Sequence, residues 1–194
     1  MNNKFTFFWY TSSPFSQWHP SLFTVKDTVF TSAEQFMMYS KAVLFGDSVI
    51  ADEILTLNKK VLDDGEDYIL KRYAEGQLST AEILKDKNLK KIWTESQNEI
   101  KSLGKKVKNY NEEVWVKNRE LIVEEGNFAK FDQNQQLKQS LLNTKRTILV
   151  EASPYDKIWG IGLKENDIKA QNEETWEGLN LLGKILTMIR ERML

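Results

Sequence analysis

The sequence predicts a mainly helical α+β domain with small antiparallel β elements and a helical insertion. Three observations carry that prediction. The β-prone segments are few and short: FTFFWY at 5–10, LFTVKDTVF at 22–30 and TILVE at 147–151. Most of the remaining chain reads as capped amphipathic helix. Its 194 residues, 41% hydrophobic and 28% charged, have the size and balance of one core-bearing domain.

Residues 5–10 are expected as a strand, and 22–30 as a hairpin turning near Lys26-Asp27. The loop between them, TSSPFSQWHPS, is punctuated by Pro14 and Pro20. Thr31-Ser32 open a helix running to about Phe45 and closed by Gly46, and Asp47 caps a second carrying Val49, Ile50, Ile54, Leu55 and Leu57. The stretch 58–98 differs in character. It is strongly charged, broken by Gly65 and Gly76, and reads as an insertion of short helices on a single domain spanning 1–194. About 40 residues are too few for an independent core. Beyond Gly104, residues 112–131 form a helix with Val114, Trp115, Leu121, Ile122, Phe128 and Phe131 as candidate buried positions; Gly126 marks a break or a close approach. A short helix at 135–142, a strand at 147–151, a glycine-containing loop and a terminal helix at 178–194 complete the chain.

Composition closes several chemistries. There is no Cys and one His, so a Cys/His zinc site, a disulfide and a cysteine nucleophile are excluded, and a Ser-His-Asp triad has only His19 to draw on. His19, between Trp18 and Pro20, reads as structural. Acid–base work falls to carboxylates and lysines. The 27 Lys+Arg against 28 Asp+Glu argue against a dedicated nucleic-acid binder and confine any DNA contact to a local groove. Lys101, Lys105, Lys106 and Lys108 read as a solvated face. The aromatic run at 5–10 is too short for a signal-peptide core, and nothing approaches the roughly 18 apolar residues of a membrane span. The expected location is the cytoplasm.

Two segments stand out. In TSAEQFMMYSK the spacing Thr31 to Glu34 suits a capping box, and so does Ser32 to Gln35; if Ser32 is the cap, Glu34 is released for other work. Glu34 and Lys41 lie seven residues apart, about two helical turns, and so on nearly one face. In SPYDKIWGIG an acid, two aromatics and two glycines share one loop. Glycine lets a backbone approach a ligand, although a tight turn with Trp159 in the core explains the same residues.

Taken together, FFWYTSSPFSQWHPSLFTV, FTSAEQFMMYSKAVLFGD, LGKKVKNYNEEVW, EGNFAKF, LVEASPYDKIWGIGL and GLNLLGK resemble the NADAR family, also called YbiA-like. The pieces stand in family order and cover most of the chain outside 58–98. The resemblance implies a mostly helical YbiA-like domain and N-glycosidase activity that needs neither metal nor cofactor. Glu34 matches the family's catalytic glutamate by motif position. Lys41, Asp156, Trp159 and Trp115 fall where the family lines its active site; Phe15, Trp18 and Asn180 complete the candidate substrate-binding set. The implied substrates are ADP-ribosylated guanine in nucleic acid, as in toxin–antitoxin and counter-defence systems, or a riboflavin-pathway ribosylaminopyrimidine phosphate. An ADP-ribose-binding module without catalysis is the third possibility. Both substrate types are glycosylamines. Their C1–N bond breaks through an oxocarbenium-like state that a carboxylate stabilises, or through a ring-opened imine attacked by a lysine amine. Trp115 and Trp159 are the candidate walls for the flat base, though Trp115 on an amphipathic helix suits a core equally well.

Overall fold

The computed structural model describes residues 4–61, 65 and 68–194. They fall into two compact units, one uniting the segment up to Ser16 with Gln135–Leu194, the other formed by Gln17–Asn134.

The second unit opens with the expected hairpin. Strands β2 (Phe23–Val25) and β3 (Thr28–Phe30) pair antiparallel, with Phe23 opposite Phe30. Lys26 and Asp27 both adopt positive φ, 47° and 63°, as a two-residue turn that follows strand twist requires. Helix α1 (Ala33–Leu44) follows, then α2 (Ser48–Thr56), whose cap Asp47 accepts from Ile50 N at 3.2 Å and from Lys108 N at 2.9 Å. Short helices α3 (Ile69–Ala74) and α4 (Thr80–Lys85) lead to the long α5 (Lys87–Lys105) and α6 (Glu112–Asp132). Phe23, Phe30 and Phe36 form an aromatic core cluster, with the Phe30 and Phe36 rings edge-on at 5.1 Å.

The stretch 58–98 is more than short helices. Residues 62–64, 66 and 67 lie outside the described residues, but α5 runs straight through position 98. Its buried face carries Trp93, Gln97, Ile100 and Leu103 at helical spacing, Trp93 and Ile100 being wholly inaccessible. The indole of Trp93 donates to the Trp18 carbonyl at 2.8 Å. High charge on the outer face of α5 concealed a core helix.

The first unit pairs β1 (Phe5–Phe8) with β4 (Ile148–Glu151). This pairing is parallel, whereas only antiparallel elements were expected. Period-two patterning makes a strand legible without giving its partner or direction, and a parallel pair needs a long crossover that local sequence does not announce. Phe5, Val150, Ile161, Leu163 and Ala170 form the core of this unit. Helices α7 (Gln135–Leu142) and α8 (Leu181–Arg192) belong to it, and α8 packs closely on β4. A Cβ at Gly183 would stand 2.1 Å from the Leu149 carbonyl oxygen, so that approach depends on glycine.

Candidate active site

The start of α1 is held by a buried polar network. Ser32 is the N-cap, its Oγ accepting from Gln35 N at 3.2 Å and donating to Gln97 Oε1 at 2.7 Å. The Gln35 side chain accepts from Thr31 N and Thr31 Oγ1, both at 2.9 Å. Its amide nitrogen donates to the Ile54 carbonyl at 3.1 Å and to Asn58 Oδ1 at 2.9 Å. Capping is thus done by Ser32 and Gln35, and Glu34 is not the capping-box residue. Glu34 occupies the first helical turn and is 3% exposed, with its backbone N–H donating to the Gln17 carbonyl at 3.0 Å.

Lys41 lies in the last turn of the same helix, so it stands about 10 Å from Glu34 along the axis. Its amine donates to the Gly104 carbonyl, in the final turn of α5, at 2.9 Å. Two aromatic rings flank it, Tyr110 at 4.4 Å and Trp115 at 5.6 Å from their centroids. Burial lowers the Lys41 pKa, and the nearby Glu112 carboxylate opposes that shift. Glu112 also accepts from the Tyr110 hydroxyl; burial and this bond push the tyrosine pKa up to about 12. The Lys41 amine and the Trp115 ring are thus neighbours. Glu34 shares α1 with Lys41, two turns nearer its N-terminus.

Helix α6 presents residues that sequence reasoning missed. Its buried stripe is Trp115, Arg119, Val123, Gly126, Asn127 and Lys130, with Phe131 beside it. Val114 and Leu121, expected inside, are 38% and 66% exposed. The helix is rotated from the apolar reading because polar side chains hold half of its buried face. Lys130 is wholly inaccessible, and burial brings its pKa down to about 7. The signal that could have found it is the 3.6-residue register of Trp115, Val123 and Phe131, which carries Arg119, Asn127 and Lys130 on the same side. Gly126 does not break α6; a Cβ there would lie 2.3 Å from the Phe36 ring, so glycine permits the α1–α6 approach.

In the other unit, Asp156 and Trp159 are brought together by a tight turn. Asp156 Oδ1 accepts from Ile158 N and Trp159 N, both at 2.8 Å. Both side chains are half-buried, while Tyr155 is 84% exposed. Asn180, expected to bind substrate, is fully buried and braces β4: Oδ1 accepts from Glu151 N and Nδ2 donates to the Leu149 carbonyl, both at 3.0 Å. It adopts a left-handed backbone, φ 52°, at the start of α8. Phe15 is likewise buried, its ring edge-on to Phe8 at 5.7 Å. Trp18, in the Gln17–Asn134 unit, is half-buried, with the Lys101 ammonium 5.9 Å from its ring.

The sequence, compared with known proteins, agrees with the motif reading. Residues 77–194 match the model of the NADAR domain. The chain belongs to the NADAR family. Over 182 residues it is 37% identical to N-glycosidase R617 of Acanthamoeba polyphaga mimivirus, covering 91% of this chain and 85% of that protein. It is 31% identical over 205 residues to Protein irg-1 of Caenorhabditis elegans, covering 97% of this chain and 79% of that protein. A 66-residue stretch is 42% identical to the chloroplastic riboflavin biosynthesis protein PYRR of Arabidopsis thaliana, spanning 34% of this chain and 9% of that protein. The NMR structure of E. coli YbiA superposes with a TM-score of 0.59 at 20% identity, covering 99% of this chain and 86% of that one, which establishes a YbiA-like α+β fold. As a NADAR protein the chain is an enzyme of the N-glycosidase class. The family match contains Trp115, Lys130, Asp156 and Trp159; Glu34 and Lys41 precede it. Among the described residues no helix is long and apolar enough to cross a membrane.

Proposed function

We propose that this NADAR protein removes ADP-ribose from guanine, the modified base lying in DNA, and thereby reverses a toxin-type modification in an antitoxin or counter-defence role. The observation that carries the reading is the likeness to N-glycosidase R617 along 91% of the chain, together with the burial of Glu34 in the first turn of α1. Glycosylamine cleavage asks for a group that moves protons and, in the imine route, for an amine that is neutral part of the time. Burial lowers the Lys41 pKa, the direction that favours the second need.

The ribose ring opens as its ring oxygen takes a proton, leaving C1 as an imine to the guanine nitrogen. The Lys41 amine adds to C1, which requires it to release the Gly104 carbonyl. The C1–N bond to guanine then breaks, with a proton passing to the leaving nitrogen. Water hydrolyses the resulting lysine imine, regenerating the amine and releasing ADP-ribose. Glu34 is assigned the proton transfers. Trp115 is assigned to stacking, Asp156 to holding a ribose hydroxyl and Trp159 to the base.

A second reading has one observation in its favour. The 66-residue likeness to PYRR favours a ribosylaminopyrimidine phosphate as substrate. Incubation with guanine-ADP-ribosylated DNA and, separately, with that phosphate distinguishes the two by which releases sugar. Release from the DNA, lost in Glu34→Gln, is the expected result. Release from the pyrimidine alone selects the second reading. Binding of ADP-ribose without release from either substrate identifies a non-catalytic module.

A further inference from the structure

Tyr110 and Glu112 stand around the Lys41 amine without belonging to the core. They lie in and just after the turn that joins α5 to α6, where of residues 106–112 only Val107 is buried. Asn109 takes a left-handed backbone there, φ 55°, and Asn111 caps α6 by accepting from Val114 N at 3.0 Å. Tyr110 is 42% exposed, yet both its hydroxyl and its ring are engaged. The hydroxyl donates to the Glu112 carboxylate, the ring centroid lies 4.4 Å from the Lys41 amine, and the Phe45 ring backs it at 5.3 Å. With the Gly104 carbonyl at 2.9 Å and the Trp115 ring centroid at 5.6 Å, the amine is bordered by one carbonyl and two aromatic rings. Carbonyl oxygens and ring faces both favour an ammonium over a neutral amine.

We propose that Glu112 and Tyr110 are a positioning pair for Lys41: the carboxylate fixes the tyrosine, and the tyrosine ring keeps the amine docked on Gly104 until substrate displaces the ring. The role of the pair in turnover rests on the imine reading of Lys41; the docking itself does not. Docking and reaction exclude one another. An amine adds to C1 only as a neutral group with a free lone pair, and the docked amine is held by contacts that favour its charged form. The surrounding charges act in the same sense. Asp47, at the start of α2, is engaged by Ile50 N and Lys108 N. Lys105 at the end of α5, and Lys106 and Lys108 after it, are exposed to solvent, while Arg119 lies two turns further along α6. Glu112 is the charge that acts on Lys41, favouring the ammonium against the burial that favours the neutral amine. Because Tyr110 sits on an exposed turn, its ring can swing away without opening the core.

Reductive methylation of the full chain with formaldehyde and cyanoborohydride tests the pair, because it begins with the same event, a neutral amine adding to a carbonyl carbon. Amine and formaldehyde lose water to give an iminium, which cyanoborohydride reduces by hydride transfer. Peptide mass gives the rate at Lys41, with Lys26, whose side chain is 86% exposed, as the reference in the same sample. Glu112→Gln keeps an acceptor for the tyrosine hydroxyl and removes only the charge. It is expected to speed modification of Lys41 about two- to fivefold at pH 8, the range for a partly exposed ion pair. That gain is expected to vanish at pH 11, where the amine is neutral with or without the carboxylate. Tyr110→Phe keeps the ring and the charge and removes the bond between them. It is expected to speed modification about fivefold at both pH values, the worth of one hydrogen bond. Both substitutions fall at exposed positions, and the Lys26 rate should not change. Parent Lys41 reacting as fast as Lys26, or a Lys41 rate that neither variant changes, overturns the pair. Faster modification in both variants with no sugar adduct on Lys41 during turnover keeps the pair and refutes the imine route. A sugar adduct on Lys41 with a methylation rate indifferent to both variants does the reverse.

Discussion

The Lys41 amine hydrogen-bonds the carbonyl of Gly104 at 2.9 Å, joining the last turn of α1 to the last turn of α5. One side chain thus satisfies a helix-end carbonyl and carries the amine assigned to the reaction. The structural share is modest, since a net hydrogen bond contributes about 1 kcal/mol. Lys41→Ala is expected to lower stability by about that amount while reducing turnover at least about 100-fold. Borohydride added during turnover is expected to leave a sugar adduct on Lys41, read by peptide mass. A near-normal rate in Lys41→Ala with no adduct on any lysine removes the imine route.

Glu34 separates the same way. Its position is fixed by the Ser32–Gln35 cap and its own backbone bond to Gln17, neither of which uses the carboxylate as a cap. Glu34→Gln is expected to fold as the parent does and to lose about 10²- to 10⁴-fold in kcat, the range for a positioned proton-transfer group. Thermal unfolding beside steady-state kinetics checks both halves.

Lys130 makes a prediction about pH. Its folded pKa, about 7, lies below the value of 10.5 that an unperturbed lysine has. Between these values the unfolded chain binds the proton and the folded chain does not, so this residue makes stability rise with pH from about 7 to 10.5. Below that window the full cost of burying the charge is present; above it, none. Urea unfolding of parent and Lys130→Met at pH 6, 8 and 10 is expected to show the variant gaining most at pH 6, with the difference shrinking as pH rises. A pH-independent difference contradicts the burial account.

Gly126 sets how closely α6 approaches α1. Gly126→Ala places a methyl 2.3 Å from the Phe36 ring, two residues beyond Glu34. Overpacking of this kind costs about 1–3 kcal/mol, and the shift it forces reaches the start of α1. Denaturant midpoints should fall, and kcat with them.

Asn180 is expected to behave as a brace. Asn180→Leu leaves Leu149 O and Glu151 N in β4 without their amide partner, a loss of about 2–4 kcal/mol for two buried groups. Unfolding measurements should show that loss, and the KM of the folded fraction should be unchanged. A substrate-binding role predicts the opposite pattern.

Local chemistry by itself determined the hairpin, because Lys26-Asp27 sits between two short β-prone runs. It also determined the limits of α1 and the start of α2, because Ser32, Gly46 and Asp47 terminate or cap whatever their tertiary setting. The family motifs and the loop holding Asp156 and Trp159 were legible for the same reason: spacing and residue type are properties of the chain. What only the tertiary structure decided depends on partners distant in sequence. The parallel β1–β4 pairing joins strands more than 140 positions apart, and the burial of Trp93 needs the Trp18 carbonyl 75 positions away. Asn180 and Phe15 became packing residues through contacts no local pattern announces. The polar half of the α6 face was the furthest from reach: Arg119, Asn127 and Lys130 read as solvent-facing by type, and only packing puts them inside. Periodicity tells which residues share a face, but the free energy of burial, which the whole fold sets, tells which face is in.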